Sequence, residues 1–324
     1  MLQKLKGTAL AMELTASEGN PIPANSTVGS VKTKDGVSLR WARFAPTGGG
    51  LKGTVTLVQG RAEFIEKYFE VISELQARGF YVVTFDLRGQ GGSQRLLPDP
   101  LRGHVDSFDE YVTDLLCIME EVVLSNCPGP HYLLAHSTGG AVALLAHKRL
   151  KTMIDRAVFS SPLIELEMNR RALRASRLLA QSLIWIGMNG RYVPGGNSSL
   201  YCDFEENKQT SDERRFKRMV DILKENPSLG VGSPTIGWFH ACSRALAKFK
   251  EERFGFSLDV PSLVITAGAD RIVSSDAAEE LCRTSPALGF LQVRGSNHEI
   301  MMERDWFREQ FWAAFDAFIP GAGD

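Results

Sequence analysis

Ser137 is the residue in this chain best placed to act as a nucleophile. It lies in Ala135-His136-Ser137-Thr138-Gly139-Gly140, between the apolar run Tyr132-Leu133-Leu134 and an alanine-rich stretch of helical character. This setting predicts a nucleophile elbow, a sharp strand-to-helix turn that strains the serine backbone and projects its hydroxyl from the sheet edge. Small residues two positions either side let strand and helix approach, and the usual first glycine is Ala135 here. A serine in such a turn can equally be a plain helix N-cap. The assignment therefore depends on partners elsewhere in the chain.

Acyl transfer by a serine needs an imidazole to take its proton and a carboxylate to orient that imidazole as it charges. For a serine on an elbow, acid and base follow in that order, on loops after late strands. Asp270, in Gly268-Ala269-Asp270-Arg271, comes just past an apolar run ending at Ala267. Asp276 is the rival acid and lies farther from that run. His298, in Gly295-Ser296-Asn297-His298, follows a run ending at Val293 and is the only histidine beyond Asp270. Ser137, Asp270 and His298 are the expected catalytic set, while His136 and His147 read as packing or surface residues. Negative charge on the reacting carbonyl also needs donors, each worth about 3 kcal/mol. The expected ones are the backbone amides of Thr138 and of Arg61, the latter in Gln59-Gly60-Arg61-Ala62-Glu63, a loop that can alternatively be a plain turn.

Competing chemistries fail on spacing. Gly89-Gln90-Gly91 follows a strand, but Gln94 stands where a dinucleotide loop needs its third glycine, and no helix opens there. His298-Glu299 begins like a zinc-protease helix, but Met302 replaces the second histidine. No cofactor or metal site is expected. The five cysteines are scattered and never in C-x-x-C spacing, which fits a reducing, cytoplasmic setting. A net charge of −1 gives no electrostatic case for a nucleic-acid partner.

The elements that must hold these residues alternate. Residues 1–28 are polar and turn-rich and read as a flexible N-terminal arm. A hairpin around Asp35-Gly36 follows, then a strand over Thr54 to Val58, a helix over Ile65 to Arg78 and a strand over Phe80 to Phe85. Asp106 to Val123 repeats apolar residues at helical spacing, with Ser107 and Glu110 placed for a capping box. From Leu163 to Lys250 strand signals are few, and the strand pattern resumes at Pro261. The pattern predicts an α/β fold, a mostly parallel sheet with helices on both faces. Residues 29–162 and 251–324 form its core and 163–250 a helical insertion.

Four segments together resemble bacterial lysophospholipases and monoacylglycerol lipases of the α/β-hydrolase superfamily: Gln59 to Tyr68; Asp86-Leu87-Arg88-Gly89-Gln90-Gly91-Gly92-Ser93; Arg102-Gly103-His104-Val105 with Phe108 and Tyr111; and Leu134 to Gly140. The resemblance spans about Ser30 to Phe318. Gln59 departs from it, since many monoacylglycerol lipases carry histidine there, whereas Ala135 is common in the lysophospholipase branch. The resemblance implies a serine hydrolase with a helical cap, no cofactor, and Ser137, Asp270 and His298 at the triad positions. It points to single-acyl lipid substrates. A small-ester carboxylesterase and a non-catalytic binding protein remain alternatives. In the insertion, Trp238, Phe239 and His240 are candidates for pocket lining. Leu173, Leu178, Leu179, Leu183, Trp185, Ile186 and Met188 beside Arg171, Arg174 and Arg177 could meet acyl chains or a lipid surface in passing or simply pack on the core.

Overall fold

The structure, a computed structural model, describes residues 13–322. Eight strands form one sheet: β1 (Ser26–Lys32), β2 (Ser38–Phe44), β3 (Thr54–Val58), β4 (Tyr81–Phe85), β5 (His131–His136), β6 (Arg156–Ser160), β7 (Ser262–Ala267) and β8 (Leu288–Val293). Their order is β1-β2-β4-β3-β5-β6-β7-β8. β1 and β2 pair antiparallel, β2 joins β4 antiparallel, and every later pairing is parallel. The helices are α1 (Phe69–Ala77), α2 (Phe108–Ile118), α3 (Leu124–Asn126), α4 (Thr138–Leu145), α5 (His147–Leu150), α6 (Arg170–Trp185), α7 (Glu213–Glu225), α8 (Ile236–Lys248), α9 (Ser275–Arg283) and α10 (Asp305–Phe318).

Central strands read as continuous apolar or β-branched runs because helices cover both sheet faces. All five residues of β3, Thr-Val-Thr-Leu-Val, are buried. Side chains alternate between the faces along each strand. Val58, Leu133 and Ala135 join one core with residues of α2, α4 and α8. Val55, Leu57, Tyr132 and Leu134 join the other, with residues of α1 and α10. The capping box at the start of α2 forms as the spacing suggests, Ser107 accepting from the Asp109 amide while Glu110 accepts from the Ser107 amide.

β3 has β4 on one side and β5 on the other, so the strand order reverses there. In an open parallel sheet that reversal opens a crevice beyond the carboxyl ends of the strands, where ligands bind. The loops after β3, β5, β7 and β8 all emerge on this edge. Residues 163–250 contribute no strand to the sheet and tie themselves to the same edge loops. Gly91 N donates to Leu229 O, Gly232 N to Leu101 O, Ser274 N to Glu165 O, and Glu299 N to Gln209 O.

Of the N-terminal segment expected as an arm, residues 1–12 lie outside the described residues. β1 starts at Ser26, and the stretch before it is mostly exposed but held to the fold by a few hydrogen bonds. Asn20 is buried with its amide donating to Glu66 O, Gln76 donates to Ala24 O, and Arg40 donates to Glu13 O. One side chain of this stretch, Asn20, and two of its backbone carbonyls thus meet the turn before α1, α1 itself and β2.

Candidate active site

Ser137 occupies the turn between β5 and α4 with φ 49° and ψ −116°, in the left-handed half of backbone space where a side chain is strained. The close packing around the turn explains its small residues. A Cβ on Gly139 would lie 2.5 Å from both the Val58 and Gln59 carbonyl oxygens, so only glycine lets α4 start directly against the loop after β3. Ala135 needs no such approach, and its methyl is fully buried within the core.

The structure brings Ser137, Asp270 and His298 into one hydrogen-bonded line. The Ser137 hydroxyl lies 3.0 Å from His298 Nε2, and His298 Nδ1 lies 2.7 Å from Asp270 Oδ2. With Nδ1–H donating to the carboxylate, Nε2 is the lone-pair nitrogen facing the serine. The other Asp270 oxygen accepts from the Ile272 and Val273 amides at 2.8 and 3.0 Å. Burial alone would raise the Asp270 pKa; the His298 hydrogen bond and charge, with those amides, outweigh it and hold the carboxyl below its ordinary range. Gly268 lets the two supporting loops meet, since a Cβ there would stand 2.8 Å from Arg294 Cα. Asp276 is exposed in the first turn of α9 and takes no part in the line.

The loop after β3 places Arg61 next to the elbow, and among the described residues neither the Arg61 nor the Thr138 amide is engaged by another group. That loop is braced from beneath. Gly60 N donates to the Glu63 carboxylate, which also accepts from Tyr68 Oη at 2.7 Å and from Lys67 Nζ at 2.8 Å. Lys67 reaches onward to Glu299 at 2.6 Å, so one ammonium links the loop after β3 to the residue after His298. Burial would raise the Glu63 pKa, but the Lys67 and His136 charges and the hydrogen bonds bring it down to about 2. Glu63, His136 and Glu299 offer ligand atoms within 4.8 Å of one another; Lys67 supplies the cation among them. His136 Nδ1–H donates to Ser160 O over 3.0 Å, and its ring lies 4.9 Å from that of His298. Burial pulls its pKa down, against the opposing charge of Glu63. Sequence reasoning missed this brace, although the acid-base pair Glu63 and Lys67 stands at helical i, i+4 spacing.

In the insertion, Thr235 caps α8 by accepting from Trp238 N at 3.1 Å. This seats the buried Trp238 indole, which donates to Tyr111 Oη at 3.1 Å and lies beneath the Arg61 guanidinium. Phe239 and His240 are half-buried on the same turn. Among the described residues neither contacts Ser137, Asp270 or His298 through a hydrogen bond or ring contact.

Such an edge, with a strained serine, a buried imidazole and a carboxylate in line, is equipped for acyl transfer. The family model described as serine aminopeptidase, S33 (Hydrolase_4), matches residues 49–305. The chain belongs to this family. It is a hydrolytic enzyme with the α/β-hydrolase fold. The hydrolase is 29% identical over 286 residues to the probable lysophospholipase L2 of Haemophilus influenzae, covering 88% of this chain and 90% of the relative. It is 29% identical over 285 residues to lysophospholipase L2 of Escherichia coli K12, covering 85% and 82%. A soluble variant of the Saccharomyces cerevisiae monoglyceride lipase, solved with a substrate analogue, superposes with a TM-score of 0.72 at 19% identity, over 93% of this chain and 96% of that one. At that identity the likeness is one of fold.

Proposed function

We propose that the enzyme hydrolyses the carboxylic ester of single-acyl glycerolipids through an acyl-enzyme on Ser137. The observation carrying this reading is the continuous line from Ser137 Oγ to His298 at 3.0 Å and from His298 to Asp270 at 2.7 Å. Ser137 Oγ attacks the ester carbonyl as its proton passes to His298 Nε2, and Asp270 stabilises the imidazolium. The oxyanion is received by the Arg61 and Thr138 amides. Collapse breaks the ester C–O bond, and His298 returns the proton to the departing glycerol oxygen. Water, deprotonated by His298, then releases the fatty acid and restores Ser137. The lysophospholipase relatives support a lysolipid as substrate.

Surface features support contact with the lipid aggregate that presents such a substrate. α6 carries Arg170, Arg171, Arg174 and Arg177 with no acidic residue, and beside them Leu178, Leu179, Trp185 and Ile186 are 67, 49, 83 and 70% exposed. An amphipathic helix of that composition fits an anionic lipid surface. No helix among the described residues is long and apolar enough to cross a membrane. All five cysteines are unpaired, which supports a reducing, cytoplasmic setting.

The test is labelling by a fluorophosphonate in wild type and Ser137→Ala. It is followed by turnover on lysophosphatidylcholine, on esters of graded chain length and on an aminoacyl p-nitroanilide. Labelling and lysolipid turnover that both vanish in the variant support the reading. Labelling that survives Ser137→Ala, or anilide cleavage with no ester cleavage, overturns it.

A further inference from the structure

Buried arginines in this molecule are generally neutralised. Arg40 is met by Glu66 and Asp86, Arg88 by Asp114 and Asp35, and Arg215 by Glu70 and Asp212. Arg95 instead donates to the carbonyls of Gly89, Gly91, Ser228 and Gly230. Arg61, whose side chain is only partly buried, differs from all of these. Its Nη2 donates to a single carbonyl, Gly232 O, at 2.6 Å, and its Nε is sealed from solvent with no partner. Among the described residues the guanidinium has no carboxylate partner, and it lies 5.3 Å from the centre of the Trp238 ring. Burial lowers its pKa to about 10, which leaves it charged at neutral pH. A second arginine shares the neighbourhood: Arg177 of α6 also has a buried, unpartnered Nε, and the buried Cys242 thiol feels the charge of both.

Sealing part of a guanidinium from water without an anion is costly, and a ring face and one carbonyl offset less of that cost than a well-placed counter-charge would. The chain supplies none at Arg61, so the counter-charge belongs to a ligand. The Arg61 amide is the proposed oxyanion donor, and the guanidinium lies one side-chain length away from that amide. A substrate whose ester carbonyl rests on the amide runs its glycerol backbone across a comparable span. In a lysophospholipid the group at the far end of the glycerol is a phosphate, which guanidinium binds by paired, charge-assisted hydrogen bonds. A neutral monoacylglycerol presents only a hydroxyl there.

We propose that the Arg61 guanidinium, assisted by Arg177, binds the phosphate of a single-acyl glycerophospholipid and so selects it over the neutral monoacylglycerol. The proposal rests on the lipid-ester reading above. Substitution of Arg61 by Gln or Lys keeps the backbone amide, so the selectivity ratio isolates the side chain. The measurement is kcat/KM on 1-palmitoylglycerol 3-phosphate divided by that on 1-palmitoylglycerol, in the same mixed micelles. Arg61→Gln is expected to lower this ratio at least about tenfold, with partial recovery in Arg61→Lys and a smaller fall in Arg177→Gln. A ratio unchanged in Arg61→Gln and in Arg177→Gln overturns the proposal and leaves the lipid-ester reading standing; a general collapse of the site lowers both activities alike and counts as that result. If wild type cleaves p-nitrophenyl butyrate but neither lipid, the lipid-ester reading fails and the anion site is judged separately. Competitive inhibition by glycerol 1-phosphate that is lost in Arg61→Gln then upholds it, and absence of inhibition sinks it. Inorganic phosphate at matched ionic strength that inhibits as strongly as glycerol 1-phosphate also overturns the headgroup assignment.

Discussion

The edge of the sheet and the outer face of the insertion treat polar groups in opposite ways. Around Ser137 nearly every charge is answered: Asp270 by His298 and two amides, Glu63 by Lys67, Tyr68 and the Gly60 amide, Glu299 by Lys67. On α6 the arginines have no carboxylates on their own helix, and large apolar side chains stand in solvent. The contrast separates two tasks. Transition-state chemistry needs donors and acceptors fixed before the reaction begins, so that no reorganisation is needed at the barrier. Recognition of an aggregate or a headgroup leaves groups unsatisfied until the partner arrives.

Several substitutions would break or sharpen this contrast. The largest effect is expected at the nucleophile and base: Ser137→Ala or His298→Ala lowers kcat by about 10⁶-fold, read by steady-state turnover, while circular dichroism and the melting temperature stay near wild type. Asp270→Asn keeps the packing but loses the charge that fixes the histidine tautomer, and costs about 10⁴-fold in kcat. Either change with near-normal turnover in a folded protein would remove that residue from the proposed line.

The brace beneath the site is a matter of stability. Lys67→Met strands Glu63 and Glu299 in a largely buried position and is expected to cost about 3–5 kcal/mol in urea unfolding. The pH dependence follows from the sign of the Glu63 shift. In wild type its folded pKa of about 2 lies below the ordinary 4.5, so its contribution is fully present above about pH 4.5 and is lost as pH falls toward 2. Without Lys67, burial raises that pKa instead, and the variant regains stability on protonation. The gap between wild type and Lys67→Met should therefore narrow on acidification; a gap that widens would contradict the brace. The smallest effect on folding is expected on α6. Trp185→Ser combined with Leu178→Ser should shift stability within about 0.5 kcal/mol while weakening flotation with phosphatidylglycerol vesicles. Equal loss of flotation with neutral vesicles would argue that charge is not involved.

Much of the site was legible because chemistry constrains residue type and chain order together. Ser137, Asp270 and His298 stand out since each follows an apolar run in the order the reaction requires, and strand ends in a parallel sheet converge on one edge. The gap in strand pattern from Leu163 to Lys250 coincides with a stretch that holds α6, α7 and α8 and adds no strand to the sheet. The anchoring of the segment before β1 was not legible, because a polar residue that binds a backbone group looks the same in sequence as a polar residue in solvent. Asn20 shows this, buried against the Glu66 carbonyl.

Local sequence fixes what depends on neighbours along the chain: the strained turn at Ser137, the capping box at Ser107, the alternation of strand and helix. Only the tertiary structure decides which charges meet. Lys67 joins Glu63 to a residue 232 positions away, and Arg61 meets Gly232 across 171 positions but no carboxylate. Those pairings depend on how the edge loops and the insertion close over one another, and so does the difference between a braced catalytic line and a guanidinium left open for a ligand.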